Sequence, residues 1–478
     1  MIHQVVGPPG TGKTTFCIKL VEEALAMGIA PERIGYFSFT TRAAHEAMNR
    51  ACAKFNRKPK EFPFFRTLHS LAFRENGLQP NEIMQQRNYV ELGILLGLDI
   101  SGQLQTPDEG FFSGHTNGDR TMFHENLSRV KMMSVEDYFN TIPQEDRMVK
   151  SRLVQFRDTL VQYKKDRGLV DYTDMLILFL ARKIDMEFDL LIIDEAQDLS
   201  LLQWKIVEKL TEVSKNTYIA GDDDQAIYRW AGADVDRFIN LPVDERIVLD
   251  QSYRIPKLVH AVAERIAARI STRIPKVFSP RDEEGVVKRI TTLDSLDMSQ
   301  GSWLILARTG FNLLMHVRPY LERRGLYCEF RNNDASLEKF ILAAHLWCAT
   351  PPEKRAELTE TEKEVVTKYM SKKSALTEDR PWWEALDKMT EKQRNRLLKM
   401  WNAGEDLSKR PRIRCFTIHS AKGAESDNVV LFTDTSRHCH FRGKQFLEDE
   451  HRVFYVGATR AKKNLYIVEP TGSFFYDV

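Results

Sequence analysis

The chain has 478 residues, which at about 100–200 residues per domain predicts two to four domains. Hydrophobic residues make up 42% and charged residues 28%, an ordinary globular composition with enough apolar material for several cores. The formal net charge is only +2, so any binding of nucleic acid must use a local groove and not the overall field of the protein.

Targeting signals and cysteine spacing also restrict the class of protein. No apolar run reaches the length of about 18–20 residues that a membrane span needs, and the opening MIHQVVGPPG has no basic region followed by an apolar one. The six cysteines form no CxxC pair, which argues against a disulfide framework or a zinc ribbon. A reduced, cytoplasmic protein is expected.

The first forty residues alternate between strand and helix. The apolar run Ile2–Val6 precedes GPPGTGKT, residues 13–27 have helical periodicity, and residues 34–39 are rich in β-formers. This alternation predicts a parallel sheet with crossover helices.

The segment GPPGTGKT fits the phosphate-loop pattern G-x-x-x-x-G-K-[ST] and lies where that pattern requires, after a strand and before a helix. We expect the nucleotide to contact Gly7, Pro8, Pro9, Gly10, Thr11, Gly12, Lys13, Thr14 and Thr15. Glycines let backbone N–H groups surround the phosphates, Lys13 reaches the β- and γ-phosphates, and Thr14 is a magnesium ligand. The pattern indicates a nucleoside triphosphate but not the work that it drives.

An acidic pair should complete the nucleotide site. The predicted strand at 189–194 ends in Asp194 and Glu195, the first suited to hold magnesium and the second to orient and deprotonate water. In isolation such a pair is as often a helix cap and a first-turn acid. The phosphate loop earlier in the chain favours catalysis.

The remaining elements suggest two α/β domains, each with an insertion. Residues 78–183 are polar and mostly helical, with a glycine-containing loop, FFSGHTNGD, at 111–119. Further strands are predicted at 286–290, 303–307, 326–330, 412–417, 428–432 and 464–468. A charged, helical stretch at about 334–408 separates the first three from the last three.

A set of motifs then resembles, in family order, the superfamily 1 helicases of the UvrD/Rep/PcrA type. The matching segments are SFTTRAA (38–44), TLHSLAF (67–73), GLVDYTDML (168–176), LIIDEAQD (191–198), GDDDQAIYRWAGAD (221–234), LDQSYRIP (249–256), TIHSAKGAES (417–426) and EDEHRVFYVGATRAKKNL (448–465). The resemblance implies an α/β fold of two RecA-like P-loop NTPase domains with parallel sheets. The implied first domain is 1–80 with 184–249, interrupted by a helical insertion at 81–183; the second is 250–333 with 409–478, interrupted by a reduced one at 334–408.

The resemblance also implies roles for individual residues. Arg254 and Arg460 match arginines that contact the γ-phosphate from the far side of a cleft, and Gln225 matches the glutamine that links this phosphate to DNA. Further nucleotide contacts are implied for Tyr253, Gly423 and Glu425. Contacts with single-stranded DNA are implied for Phe39, Thr40, Arg42, His69, Tyr228, Trp230 and His419. Phe39 and Trp230 could instead be core aromatics.

The implied function is an ATP- and Mg²⁺-dependent DNA helicase or translocase that moves 3′→5′ as a monomer. Its expected partners are single-stranded DNA, junctions with duplex, and replication or repair proteins, in a bacterial nucleoid or a phage-infected cell. The alternative is a nucleotide-switched regulator or loader that binds single strands and unwinds little. A small-molecule kinase leaves the later motifs without explanation.

Several positions depart from the family pattern or stand outside it. Ala231, Ala424 and Ser426 replace the customary arginine, leucine and aromatic, and no adenine-reading glutamine segment precedes Ile2, which leaves ATP selectivity open. Trp382, Trp383 and Trp401 among lysines and arginines could form a nucleic-acid face, but helical spacing favours a hairpin with a core and a solvated side. The run of residues 438–440, His-Cys-His, is not expected to bind a metal.

Overall fold

The computed structural model describes residues 1–39, 41–102, 116–142, 148–331, 339–440 and 444–478. The chain divides into two compact units: one holds Met1–Arg254 and Ile270–Arg281, and the other Ile255–Arg269 and Asp282–Val478. Each contains one six-stranded, wholly parallel sheet. Parallel strands need crossover connections, which the helices supply. The predicted α/β class with two RecA-like domains is confirmed.

The sheet of the first unit has the order β3-β2-β4-β5-β1-β6. Its strands are β1 (Ile2–Val6), β2 (Ile34–Ser38), β3 (Phe65–Thr67), β4 (Phe188–Asp194), β5 (Ser214–Gly221) and β6 (Glu245–Val248). Because successive side chains point to opposite faces, neighbours such as Tyr36 and Phe37 enter two different cores. Both faces are therefore covered, as a parallel sheet requires.

Ten α-helices accompany this sheet within the described residues. They are α1 (Lys13–Ala26), α2 (Thr41–Phe55), α3 (Leu68–Glu75), α4 (Gln86–Leu96), α5 (Asn117–Val130), α6 (Val135–Thr141), α7 (Lys150–Arg167), α8 (Tyr172–Ala181), α9 (Leu201–Glu212) and α10 (Val235–Ile239). Helices α4 to α7 lie between β3 and β4 with small cores of their own, whereas α8, which follows them, packs into a core of the sheet. The loop predicted at 111–119 is helical at its end, because α5 begins at Asn117 and is capped by Thr116. Residues 111–115 lie outside the described residues.

The second unit carries a sheet of order β7-β12-β11-β8-β10-β9. Its strands are β7 (Val286–Ile290), β8 (Trp303–Ala307), β9 (Cys328–Arg331), β10 (Ile413–Thr417), β11 (Ser426–Phe432) and β12 (Ala461–Val468). Its helices are α11 (Lys257–Ala267), α12 (Gly310–Asn312), α13 (Arg318–Arg324), α14 (Lys339–Ala349), α15 (Glu360–Thr367), α16 (Trp382–Ala385), α17 (Glu391–Asn402), α18 (Arg437–His440) and α19 (Lys444–Ala458), and a π-helical turn, Leu313–Val317, joins α12 to α13. Helices α14 to α17 share a core between β9 and β10.

Every strand predicted from sequence is present, with ends shifted by at most three residues. Three strands were missed: β3 is only three residues long, β5 opens with polar residues, and β6 is an edge strand with two charged residues among four. Over the described part of the chain, no helix has both the length and the apolar character needed to cross a membrane.

Candidate nucleotide and DNA site

The phosphate loop connects β1 to α1 and depends on glycine. Gly12 has φ 83°, a left-handed conformation that glycine adopts without strain, and it precedes the first residue of the helix. Lys13 folds back over the loop and donates a 3.3 Å hydrogen bond to the Gly7 carbonyl. A Cβ atom at Gly7 would lie 1.9 Å from Cγ of Lys13, so a larger residue there would expel the lysine. The loop is thus shaped around the half-buried side chain of Lys13.

The acidic pair lies beside the ammonium group of this lysine. Asp194 ends β4, where its carboxylate accepts hydrogen bonds from the Tyr36 hydroxyl at 2.7 Å and from the Thr14 hydroxyl at 3.5 Å. Glu195 follows in a left-handed conformation, φ 57°, which is uncommon outside glycine and tends to persist at functional sites. Its Oε1 atom lies 3.7 Å from Nζ of Lys13.

Burial and mutual repulsion shift the pKa values of these groups. Burial, reinforced by the charge of Glu195, raises the pKa of Asp194 to about 6. Burial also opposes the charge on Lys13, but the carboxylates of Glu195, Asp222 and Asp194 outweigh it, so the lysine pKa is raised. A divalent cation fits this surplus of negative charge, and the hydroxyl and carboxylate oxygens of Thr14 and Asp194 are the ligand type that Mg²⁺ prefers.

A relay of polar side chains runs from the acidic pair to the segment after β5. The Gln197 amide donates to Glu195 at 2.6 Å, and its carbonyl accepts the backbone N–H of Asp222 at 3.1 Å. The Asp222 carboxylate in turn accepts the amide of Gln225 at 2.6 Å. Gln225 is therefore connected to Glu195 through two intermediate residues.

Residues 252–254 pack directly on the phosphate loop. The Ser252 hydroxyl donates to the Pro9 carbonyl at 2.8 Å, and the backbone N–H of Tyr253 donates to Gly10 at 2.9 Å. Gly10 has φ 77°, and a Cβ atom there would come within 2.4 Å of Arg254. Tyr253 itself is 74% exposed, which leaves its ring face open. These three residues belong to the first compact unit, and the predicted domain boundary at residue 250 stays a prediction.

Four aromatic side chains form a row on the same unit. Phe39 stacks on Tyr228 with ring centroids 5.8 Å apart, Tyr228 lies 6.5 Å from Trp230, and Trp230 stacks on Phe123 at 6.1 Å. All four side chains are half-buried, and Phe39 and Phe123 also pack against neighbouring hydrophobic cores. Phe123 comes from α5, and no sequence motif predicted it.

His69 and a cavity lie next to this row. The cavity, of about 280 Å³, is lined by Phe39, His69, Phe123 and Tyr228 among others. The His69 ring meets Tyr172 edge to face at 6.3 Å, and burial lowers its pKa to about 4. His69 is therefore neutral near pH 7. Of the other predicted contacts, Thr40 and the side chain of Arg42 lie outside the described residues.

The predicted residues of the second unit cluster where β10 and α19 end. Arg460 is buried and donates to the Val456 carbonyl at 2.9 Å, and Glu425 pairs with Lys462 at 2.6 Å. Gly423 has φ 79° and open space around it, whereas His419 is buried. Two of the residues that depart from the family pattern lie in the same region. Ala424 is buried, and the Ser426 hydroxyl donates a hydrogen bond to the Ser302 hydroxyl at 3.1 Å.

Comparison with known proteins decides the family. A model of the UvrD/REP helicase N-terminal domain matches residues 2–244, about half of the chain, and a model of the UvrD-like helicase C-terminal domain matches residues 412–468. The chain belongs to the UvrD/REP helicase family.

Individual relatives are distant in sequence, and two of the three described here match along almost the whole chain. A probable DNA helicase of Mycoplasma pneumoniae is 23% identical over 98% of this chain and 80% of its own length. A probable DNA helicase II homolog of Rickettsia felis is 23% identical over 98% of this chain and 90% of its own length. The ATP-dependent DNA helicase PcrA of Bacillus subtilis is 25% identical over 58% of this chain and 39% of its own length.

Family membership confirms the predicted resemblance and the predicted enzyme class, an ATP-dependent DNA helicase. The roles of single residues stay predictions. The structure brings the first-unit nucleotide residues together around Lys13, and it adds Tyr36, Gln197, Asp222 and Phe123, which the sequence did not single out. Gln197 and Asp222 lie inside quoted motifs, so their position was a usable signal; Tyr36 and Phe123 had none.

The tryptophans of the second unit divide between core and surface. Trp382 is buried, whereas Trp383 and Trp401 are 44% and 52% exposed around a shallow groove that also contains Arg394 and Leu398. The burial of Trp382 agrees with the interpretation favoured from the sequence, a helical hairpin with one side in a core and the other in solvent. The side chains of His438 and His440 lie outside the described residues.

Proposed function

We propose that this UvrD/REP family member is a DNA-stimulated ATPase that moves 3′→5′ along single-stranded DNA and thereby unwinds duplex or displaces bound proteins. One observation carries the proposal. The segment after β5 is hydrogen-bonded through Asp222 to Gln197, which donates to Glu195, and the same segment carries Tyr228 of the aromatic row. A change at the terminal phosphate therefore has a short path, through these hydrogen bonds and then along the backbone, to the rings on which bases would stack.

In the proposed hydrolysis, Lys13 binds the β- and γ-phosphates and Glu195 accepts a proton from the attacking water. Thr14 and Asp194 would hold Mg²⁺, which supplies positive charge next to the phosphates when bound. Gln225 senses the γ-phosphate, and the guanidinium groups of Arg254 and Arg460 stabilise the charge that develops on it.

The remaining nucleotide contacts are proposed to set its orientation. The exposed ring of Tyr253 suits stacking on a base. Gly423 and Glu425, from the second unit, are proposed to lie near the ribose. The other loop residues, Gly7, Pro8, Pro9, Gly10, Thr11, Gly12 and Thr15, are proposed to surround the phosphates through backbone groups.

The DNA track is proposed to use stacking without sequence readout. Each base that stacks on an aromatic side chain contributes about 1–3 kcal/mol whatever its identity, as a motor needs. Phe39, Tyr228 and Trp230 are the proposed stacking rings, and Phe123 extends their row. Thr40, Arg42, His69 and His419 are proposed to contact the strand. We further propose the predicted domain boundaries, a monomeric state and a cytoplasmic location, with junction DNA and replication or repair proteins as partners.

The test is ATP hydrolysis by the purified protein with and without single-stranded DNA, across a salt series. We expect strong stimulation by DNA, abolished in Lys13→Ala. Affinity for the strand should fall with salt at a slope of about −0.7 per neutralised phosphate on a log–log plot. Tight DNA binding that leaves hydrolysis unchanged would overturn the motor and favour a nucleotide-switched regulator.

A further inference from the structure

A buried lysine stands behind the residues proposed to sense the γ-phosphate. The Lys276 side chain is fully buried, and its Nζ atom lies 3.2 Å from Asp222, 2.6 Å from Asp223 and 2.9 Å from Asp224. These consecutive aspartates are also fully buried. One ammonium group thus touches three carboxylates that would otherwise repel one another in a medium of low dielectric.

Only one of the three aspartates leads to the nucleotide site. Asp222 uses Oδ1 for Lys276 and Oδ2 for the Gln225 amide, at 2.6 Å. Its backbone N–H donates to Gln197, which donates to Glu195. Asp222 also contributes to keeping Lys13 charged.

The other two aspartates anchor the segment that carries the lysine. Asp223 accepts the backbone N–H of Ile274 at 2.8 Å, and Asp224 accepts Nε of Arg273 at 2.9 Å. Both residues belong to Ile270–Arg281, a segment of the first unit whose flanking residues in the chain belong to the second. Asp222 therefore connects the cluster to the nucleotide site, whereas Asp223 and Asp224 hold the segment that carries Lys276. Mutations can separate these two roles.

We propose that Lys276 is a positioning residue for ATP hydrolysis, because its ammonium group fixes the Asp222 carboxylate that orients the Gln225 amide. The inference rests on the proposed function, in which Gln225 senses the γ-phosphate. Lys276 does not touch substrate. Together with the Asp224 backbone N–H, which donates to the same Oδ1 atom at 3.2 Å, Lys276 restricts rotation of the Asp222 carboxylate away from Gln225. Errors of about 1 Å in such positioning can cost on the order of 100-fold in rate.

A charge-balanced variant tests the proposal, since Lys276→Met alone could fail to fold. The double variant Lys276→Met/Asp223→Asn removes one charge of each sign and leaves Asp222 and Gln225 in place. The matched control is Arg273→Met/Asp224→Asn, which removes a similar pair from the same cluster but not from the path to Gln225. Both are compared with wild type for circular dichroism, ATP affinity and steady-state hydrolysis, with and without single-stranded DNA.

The expected result is a fall in kcat on the order of 10-fold for Lys276→Met/Asp223→Asn, with KM for ATP within about 2-fold and kcat of the control within about 2-fold. In a Gln225→Ala background the Lys276→Met/Asp223→Asn change should cost nothing further, because its effect passes through the missing amide. Equal losses in both backgrounds, or equal losses in the control, would make Lys276 purely structural and overturn the proposal.

The same data separate this inference from the proposed function. If DNA does not stimulate ATP hydrolysis by the wild-type protein, the proposed motor function is wrong. The effect of Lys276→Met/Asp223→Asn with and without Gln225→Ala can still be measured on hydrolysis in the absence of DNA. If Gln225→Ala hydrolyses ATP at the wild-type rate, the positioning role is overturned while DNA stimulation still stands.

Discussion

The hydroxyl of Tyr36 donates a 2.7 Å hydrogen bond to Oδ2 of Asp194, across the pair of neighbouring strands β2 and β4. The same oxygen lies 3.5 Å from the Thr14 hydroxyl. A buried tyrosine therefore orients the carboxylate proposed to hold magnesium, from a position behind the nucleotide site.

The first prediction concerns this tyrosine. We expect Tyr36→Phe to raise the Mg²⁺ concentration needed for half-maximal hydrolysis by on the order of 10-fold, because partners that orient a ligand typically contribute 10- to 100-fold to metal affinity or activity. A magnesium titration of ATPase activity measures this. Tyr218→Phe, on β5 beside His3, is the matched control. An unchanged magnesium requirement in Tyr36→Phe would contradict the assignment.

The second prediction concerns the proposed base. Glu195→Gln should lower kcat for hydrolysis by about 10²–10⁴-fold, because the amide cannot accept the proton of the attacking water. Binding of ATP should persist, since the loop around Lys13 is intact. Single-turnover hydrolysis tests the expected loss of rate, and equilibrium binding of ATP tests the expected retention of affinity. Glu187→Gln, at an exposed glutamate, is the control. Hydrolysis at the wild-type rate would exclude Glu195 as the base.

The third prediction separates the two groups of tryptophans. Trp230→Ala and Phe123→Ala should each weaken binding of single-stranded DNA by about 1–3 kcal/mol, because each removes a ring from the stacked row. Trp401→Ala is a matched control, since its ring is exposed and lies outside every motif assigned to DNA. Fluorescence anisotropy with a labelled oligonucleotide measures the affinity. A loss in Trp401→Ala equal to that in Trp230→Ala would revive the nucleic-acid face on the second insertion.

The fourth prediction concerns pH and His69. Its pKa is about 4 in the folded protein, below the ordinary value of 6.5, so the unfolded chain binds the proton first as pH falls. Stability should therefore decrease between pH 6.5 and 4, by about 1–2 kcal/mol at pH 5 from this group alone. Urea unfolding at pH 7.5 and 5.0 should show a smaller difference for His69→Gln than for wild type. An equal difference in both proteins would show that the pKa of His69 is not lowered in the folded protein.

The sequence predicted the nucleotide site where local pattern and tertiary position coincide. A phosphate loop must follow a strand, and Asp194 had to end one, so both could be placed from spacing and periodicity. Tyr36 was not identified because inside a buried strand a tyrosine looks like any apolar residue. Lys276 lies 53 residues beyond Asp223, in a stretch without helical or strand periodicity, and only the tertiary fold brings the two together.

The most direct test of the central claim measures movement itself. Streptavidin is bound to biotin at either the 3′ or the 5′ end of a single-stranded oligonucleotide, and its ATP-dependent displacement is followed with excess free biotin. We predict rapid displacement from the 5′ end, little from the 3′ end, and none with Glu195→Gln. Hydrolysis stimulated by DNA without displacement from either end would contradict the account, because ATP would then be consumed without translocation.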